Sequence, residues 1–175
     1  MATLRIRENY LSTVERFFEN LQFRESIEPE NRRLYWNTYV QFWENWQQFR
    51  RLWQFEKIED SGGHKLVLFP KNRRVVFKLF RYLPEDFELE KKNYDLLVKH
   101  GHGKKIARTR FYRAGYAVSQ RVQPLNKRDR IPRRLLDLFQ DESRENFGWL
   151  NGRIVAVDFD YIAEDIVIDR GKVRP

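Results

Sequence analysis

The chain of 175 residues is long enough for one compact domain, or for a small domain with a helical extension. Hydrophobic residues make up 41% of it and include 14 Phe, 8 Tyr and 5 Trp, which is enough for a real core and argues against wholesale disorder. The absence of cysteine excludes a disulfide scaffold, a thiol nucleophile and a cysteine zinc site. The net charge of +9 predicts an anionic partner or a solvated basic face.

Residues 1–53 are predicted to form an aromatic-rich pair of helices. The first helix follows from an apolar stripe at helical spacing, formed by Leu11, Val14, Phe17, Phe18 and Leu21. The second runs from about Pro29 to Trp53, and its aromatic residues recur every three or four positions, at Tyr35, Tyr39, Phe42, Trp46, Phe49 and Trp53. A face this broad needs cover from the first helix and also from the following domain or a protein partner.

Three short strands are predicted next, at Gln54–Glu59, Lys65–Phe69 and Arg74–Phe80. Turn-forming residues between them predict an antiparallel meander. Lys78 stands alone between apolar neighbours in the third strand. Its ammonium therefore needs either an anionic partner or a position on the solvent side of the sheet.

A helix is predicted from Pro84 to about Lys99. Glu90 lies three residues after Phe87 and four before Tyr94, so it shares the inward apolar face of this helix, whereas Glu88 does not. Glu90 is either the anionic partner of Lys78 or a surface acid on an amphipathic helix.

Two further strands, Ile106–Tyr112 and Tyr116–Val122, complete a predicted five-stranded sheet. The loop before them contains His100 and His102, which we interpret as a solvated turn rather than a metal site. Residues 99–134 contain twelve basic residues and one acidic residue, with aromatic residues interleaved. This segment could bind nucleic-acid phosphates while its aromatic rings stack on bases, or it could be a solvated face.

The stretch from Leu138 to Tyr161 contains Asp141, Asn146 and Asp158. An Asn-Gly turn between two apolar runs predicts a hairpin of Phe147–Trp149 and Arg153–Val157, which brings Asn146 and Asp158 to the same end. Carboxylate and amide oxygens suit a hard cation such as Mg²⁺, and a further carboxylate could orient a hydroxyl or accept its proton. The alternative is an acidic loop beside a hairpin.

These motifs follow one another in the order found in the protein-kinase-like superfamily, which includes the aminoglycoside phosphotransferases. Val75-Val76-Phe77-Lys78 resembles its lysine-bearing strand, and D-x-x-x-x-N followed by a hairpin and Asp-Phe resembles its catalytic loop and metal-binding aspartate. Two motifs depart from the family pattern: His-Arg-Asp is replaced by Phe139-Gln140-Asp141, and Asp-Phe-Gly by Asp158-Phe159-Asp160.

The resemblance implies an α+β fold in which the helical pair precedes a minimal kinase-like domain. Residues 54–125 would form the small lobe with its hinge, and residues 126–175 a reduced second lobe. ATP and Mg²⁺ are the implied cofactors. The implied site residues are catalytic Asp141 and Lys78, nucleotide-binding Lys78, Glu90, Ser61, Gly62, Gly63, Gln120 and Val122, and metal-binding Asn146 and Asp158.

Two functions follow from this sequence. The first is a small phosphotransferase that moves the γ-phosphate of ATP to a hydroxyl acceptor. The second is an inactive kinase-like binding module, which holds a protein through the aromatic helices or a nucleic acid through residues 99–134. Because no apolar run approaches the ~20 residues of a membrane span and the N-terminus lacks a signal-peptide core, we predict a cytoplasmic protein without a membrane span.

Overall fold

A computed structural model of the chain describes residues 29–61, 65–80, 85–113 and 115–171. The predicted first helix, Gly62 and Gly63 lie outside these residues. The described part has the predicted α+β composition, with helices and two antiparallel sheets. The helix that begins at Pro29 ends at Leu52, within one residue of the prediction, and is called α1.

The larger sheet has five strands, as predicted. Its strands are β1 (Phe55–Ser61), β2 (Lys65–Pro70), β3 (Val75–Phe80), β4 (Thr109–Tyr112) and β5 (Tyr116–Gln120). They lie in the order β1-β2-β3-β5-β4, and all neighbours are antiparallel. The first three strands therefore form the predicted meander.

Helix α1 covers one face of this sheet. Phe42, Trp46 and Phe49 are buried against Leu66 and Leu68 of β2 and their neighbours. The ring of Phe49 lies 4.5 Å from that of Phe77 and 5.1 Å from that of Tyr116. The chain's own sheet thus covers these buried aromatic residues of α1, because the alternating apolar residues of β2 and β3 offer a matching surface.

The opposite face of the sheet packs against helix α2 (Glu85–Lys99). Phe80 and Phe87 meet there edge to face, with ring centroids 5.3 Å apart. Because successive strand residues alternate between faces, Lys65 of β2 and Lys78 of β3 share this side of the sheet. The register pairs Lys65 with Phe80 and Val67 with Lys78, which makes the two lysines diagonal neighbours.

The second sheet has three short strands: β6 (Gln123–Pro124), β7 (Phe147–Leu150) and β8 (Arg153–Ala156). The last two form the predicted hairpin, with Asn151 and Gly152 both at positive φ in its turn. The sequence analysis did not anticipate β6, which pairs with β7. The remaining helices are α3 (Arg133–Leu136) and α4 (Glu164–Gly171), and 3-10 turns occupy Gly103–Lys105 and Arg144–Asn146.

Residues 121–122 connect the two sheets, at the position predicted for a hinge. A second link comes from the segment before β4. Ile106 forms an isolated parallel bridge with Ala156, and the backbone N–H of Ala107 donates to the carbonyl of Ala156 at 2.8 Å. For this reason β4 begins at Thr109 rather than at the predicted Ile106.

The interpretation of His102 as part of a solvated turn is wrong. Its side chain is only 3% exposed, and Nε2 lies 3.0 Å from the carbonyl oxygen of Val167 in α4. Since a carbonyl only accepts, Nε2 carries the proton of this bond. His102 therefore ties the loop after α2 to the C-terminal helix.

Candidate functional site

Lys78 forms an ion pair with Glu90, the anionic partner that its apolar surroundings require. Its ammonium is buried and donates to Glu90 Oε1 and, at 2.7 Å, to the carbonyl oxygen of Val157. It also lies 5.1 Å from the ring centroid of Phe159. The ion pair between Lys78 and Glu90 is confirmed, and the alternative of Glu90 as a surface acid is wrong, because Glu90 is fully buried.

A second buried lysine, which the sequence analysis did not single out, reaches the same carboxylates. Lys65 Nζ donates to Glu90 Oε2 at 2.7 Å, to Asp158 Oδ1 at 2.7 Å and to Asp160 Oδ2 at 2.9 Å. Glu90 therefore bridges both lysines, one through each carboxylate oxygen. We call Lys65, Lys78, Glu90, Asp158 and Asp160 the charge cluster.

Helix α2 also holds the backbone of the segment that contributes the two aspartates. The buried Asn93 donates through Nδ2 to the carbonyl oxygens of Phe159 at 2.8 Å and Asp160 at 3.0 Å. Glu90 and Asn93 lie three residues apart and so share a helix face. One face of α2 thus positions both the lysines and the Asp158-Phe159-Asp160 segment.

The charge cluster has two ammonium groups and three carboxyl groups, which sets the protonation of its members. Burial favours the neutral amine of Lys65, but the charges of Glu90, Asp158 and Asp160 outweigh it and hold the pKa of Lys65 well above its usual value. Burial likewise opposes ionisation of Asp158, but Lys65 and Lys78 lower the pKa of its carboxyl group to about 2.

The surroundings of Asp160 shift its pKa in the opposite direction to that of Asp158. Burial, together with the charges of Glu90 and Asp158, raises the pKa of its carboxyl group to about 7 despite the hydrogen bond from Lys65. With every carboxyl group ionised, the cluster would carry one negative charge in excess, since three carboxylates face two ammonium groups. The surplus gives the site an affinity for a proton or another cation.

Asn146 and Asp158 lie at the same end of the hairpin, as predicted. β7 and β8 are in register from Phe147 to Ala156, and the N–H of Val157 donates to the carbonyl of Asn146 at 2.8 Å. The side-chain amide of Asn146 donates to Asp141 Oδ2 at 2.9 Å. Asn146 therefore joins the hairpin to the loop that carries Asp141.

Asp141 is exposed and ionised. Its Oδ1 accepts a hydrogen bond from the backbone N–H of Ser143 at 2.9 Å. Hydrogen bonds from Ser143 and Asn146 lower the pKa of the Asp141 carboxyl group. A solvent-facing carboxylate held in this way can accept a proton or orient a hydroxyl group.

None of the other predicted nucleotide-binding residues belongs to the charge cluster. Ser61 ends β1 opposite Lys65, and Gly62 and Gly63 are outside the described part of the chain. Gln120 ends β5 and accepts a hydrogen bond from the backbone N–H of Arg108 at 3.0 Å. Val122 lies in the link between the sheets.

A groove of about 830 Å³ runs beside this link. It lies between the β2–β3 turn, the link and the β7–β8 turn, and its lining includes Arg73, Arg74, Arg121 and Trp149. The guanidinium group of Arg73 stacks on Trp53 at 5.1 Å, while Arg121 pairs with Glu56. The groove combines guanidinium groups, amide side chains and an indole ring.

Sequence reasoning missed Lys65, Asp160 and Asn93 as site residues. The signal for Lys65 resembles the one for Lys78: each is the single charged residue of an apolar strand, although Lys65 begins its strand, K-L-V-L-F-P, whereas Lys78 lies inside its own. In the sequence, Asp160 is recognisable only as a departure from Asp-Phe-Gly. In the structure this departure supplies a carboxylate to the cluster, whereas a glycine would supply none.

Among the described residues, no helix is long and apolar enough to cross a membrane. Comparisons with models of protein families and with curated proteins found no match to this chain.

Proposed function

We propose that the chain is a small ATP- and Mg²⁺-dependent phosphotransferase with a kinase-like fold. The observation that carries the proposal is the charge cluster, in which buried Lys78 and Glu90 meet partly buried Asp158 although the three come from separate elements. These are the residues to which the family resemblance assigns phosphate and metal binding.

The architecture supports the same proposal. A five-stranded antiparallel sheet with one helix on the cluster face is followed by a short link and a second sheet that carries the Asn146–Asp158 hairpin. This is the arrangement that the resemblance implies for a small lobe, a hinge and a reduced second lobe.

The donor set fits a hard cation. Asp158 Oδ1 accepts from Lys65, and no hydrogen bond from another described residue reaches Oδ2. Asp158 and Asn146 would hold Mg²⁺, which would neutralise charge on the nucleotide phosphates. Lys78 would bind phosphate oxygens while Glu90 holds its ammonium in place, and exposed Asp141 would orient the acceptor hydroxyl and take its proton.

The first test measures thermal stability with ATP, with and without Mg²⁺, together with ATP consumption. Wild type is compared with Asp158→Asn, Asp141→Asn and the control Glu142→Gln, which changes an exposed acid beside Asp141. Ligand at 100 times its dissociation constant stabilises a protein by about 2.7 kcal/mol. We expect a Mg²⁺-dependent rise in Tm that Asp158→Asn loses and Asp141→Asn keeps, with turnover lost in both.

The control Glu142→Gln should behave like wild type in both assays. An absence of any nucleotide-induced rise in Tm would contradict the proposal. A rise that survives Asp158→Asn would contradict the metal assignment alone.

The groove favours a second candidate function, binding of single-stranded nucleic acid. Three arginines line it, and the described lining residues include no carboxylate. Guanidinium groups would contact phosphates, and the half-buried indole of Trp149 would stack on a base. Arg121 belongs to the basic segment 99–134 for which nucleic-acid binding was predicted.

This candidate is tested by fluorescence anisotropy of a labelled oligouridine at low and moderate salt. Arg74→Gln removes an exposed guanidinium from the groove, and Lys91→Gln removes a partly exposed charge of α2, outside the groove, as a control. Binding through the groove predicts a steep salt dependence and a weaker complex for Arg74→Gln alone. No binding at low salt would exclude it.

A further inference from the structure

The feature that the proposed function does not use is the ammonium of Lys65. It begins β2, its side chain is 2% exposed, and its three N–H groups can each meet one carboxylate oxygen of Glu90, Asp158 and Asp160. Burying an ammonium is costly unless such partners compensate it. Lys65 is therefore held as the central cation of a three-carboxylate cage.

The cage has the spacing of a metal site. One oxygen from each of Glu90, Asp158 and Asp160 lies within 4.8 Å of the others. The position that a metal ion would take between these oxygens is occupied by Lys65 Nζ, at 2.7 to 2.9 Å from each of them. The cation in this position thus belongs to the chain itself.

We infer that Lys65 is a built-in cation, whose ammonium replaces a divalent metal ion in the cage of Glu90, Asp158 and Asp160. Where the proposed phosphotransferase function holds, on which this part of the inference rests, the metal ion that accompanies the nucleotide binds outside the cage. The second oxygen of Asp158 is left for that purpose. The chain then needs no metal ion in the cage itself, because the ammonium of Lys65 already occupies that position.

Removing the ammonium should convert the cage into a metal site. Calcium–oxygen distances are about 2.3 to 2.6 Å and magnesium–oxygen distances about 2.0 to 2.1 Å, so Ca²⁺ requires the smaller contraction of the cage. Lys65→Ala removes the ammonium and leaves room for an ion, whereas methionine would fill the space. Ca²⁺ without nucleotide is therefore the probe.

The experiment is calorimetric titration of Ca²⁺ into wild type, Lys65→Ala and the control Lys71→Ala, which removes an exposed lysine from the turn after β2. We expect Lys65→Ala to bind one Ca²⁺ per chain more than the other two proteins. Folded Lys65→Ala without this additional site would overturn the inference, as would wild type binding Ca²⁺ in the same stoichiometry.

Loss of Lys65 leaves the buried carboxylate of Glu90 and the partly buried carboxylates of Asp158 and Asp160 facing one lysine, so a second variant is included in case Lys65→Ala misfolds. Asp160→Asn in the Lys65→Ala background removes one of these charges. If Lys65→Ala folds only in the presence of Ca²⁺, as followed by circular dichroism, the inference is supported directly. No effect of Ca²⁺ on binding or folding in either variant would overturn it.

The outcome is independent of the proposed enzymatic activity, because no nucleotide is present. A gain of Ca²⁺ binding in Lys65→Ala, together with no ATP-induced rise in Tm of wild type, would retain the built-in cation and reject the phosphotransferase. The reverse pair of results would retain the phosphotransferase and reject the built-in cation.

Discussion

Asp160 should make the protein less stable as the pH rises through neutrality. Its carboxyl group lies in the charge cluster beside Glu90 and Asp158, and burial with these two charges raises its pKa to about 7. The unfolded chain removes that environment and restores the ordinary value of 3.8. Between these values the folded state binds more protons than the unfolded state.

The sign and size of the effect follow from this difference. The stability that protonated Asp160 contributes is fully present below pH 3.8 and is lost as the pH rises through about 7. The two pKa values differ by about 3, and each pH unit corresponds to 1.36 kcal/mol, so the loss reaches at most about 4 kcal/mol. Asp160→Asn cannot ionise and should remove this loss.

The assay is urea unfolding in the presence of EDTA, between about pH 4 and pH 8, where the proton-binding difference of Asp160 is expressed. His102 titrates in the same range with the opposite sign, because burial lowers its pKa. The difference between wild type and Asp160→Asn therefore isolates Asp160. Glu88→Gln, which changes an exposed acid of α2, is the matched control.

As the pH rises, we expect the free energy of unfolding of Asp160→Asn to increase relative to that of wild type. The difference between Glu88→Gln and wild type should stay constant. Parallel curves for wild type and Asp160→Asn would refute the reasoning. They would mean that Lys65 keeps Asp160 ionised throughout this pH range. Any proton that the cluster takes up would then bind to another of its carboxyl groups.

Two further predictions concern packing, and both are checked by urea unfolding. Phe49→Ala should lower the free energy of unfolding by about 3 to 5 kcal/mol, because the buried ring of Phe49 contacts the sheet. The control Leu52→Ala changes a side chain of the same helix that is 66% exposed, and it should alter this free energy by less than about 0.5 kcal/mol. Equal effects of the two substitutions would contradict the packing of α1 on the sheet. Gly148→Ala should cost about 1 to 3 kcal/mol, since its Cβ would meet the side chain of Val122 and lie 2.8 Å from the carbonyl oxygen of Gln123. Gly103→Ala, whose Cβ would meet nothing within 4 Å, is the control, and a Gly148→Ala variant as stable as this control would contradict the close approach of the link to β7.

Much of the fold was predictable because it depends on local patterns. The aromatic periodicity of α1, the alternation in β2 and β3 and the Asn-Gly turn of the hairpin each act over a few neighbouring residues. The ion pair between Lys78 and Glu90 was predictable for a related reason. An isolated charge on an apolar strand needs a partner, and the next helix offered one acid on its inward face.

Predictions failed where distant segments meet. β6 is too short to leave a pattern in the sequence, and it exists only because β7 lies beside it. His102 looked like a turn residue because its loop is rich in glycine and lysine, yet α4 covers it and supplies a carbonyl partner. The roles of Ser61, Gly62 and Gly63 in nucleotide binding, and that of the predicted first helix, stay predictions.

The sequence by itself determined which elements form and which residues are charged within apolar surroundings. Only the tertiary structure decided which of those charges share one site. Lys65 meets carboxylates that are 25, 93 and 95 residues away along the chain, so no local spacing could indicate the cage. The physical reason is that burial of two lysines on one sheet face demands compensating carboxylates from whatever elements pack against that face, and here these are α2 and the segment after β8.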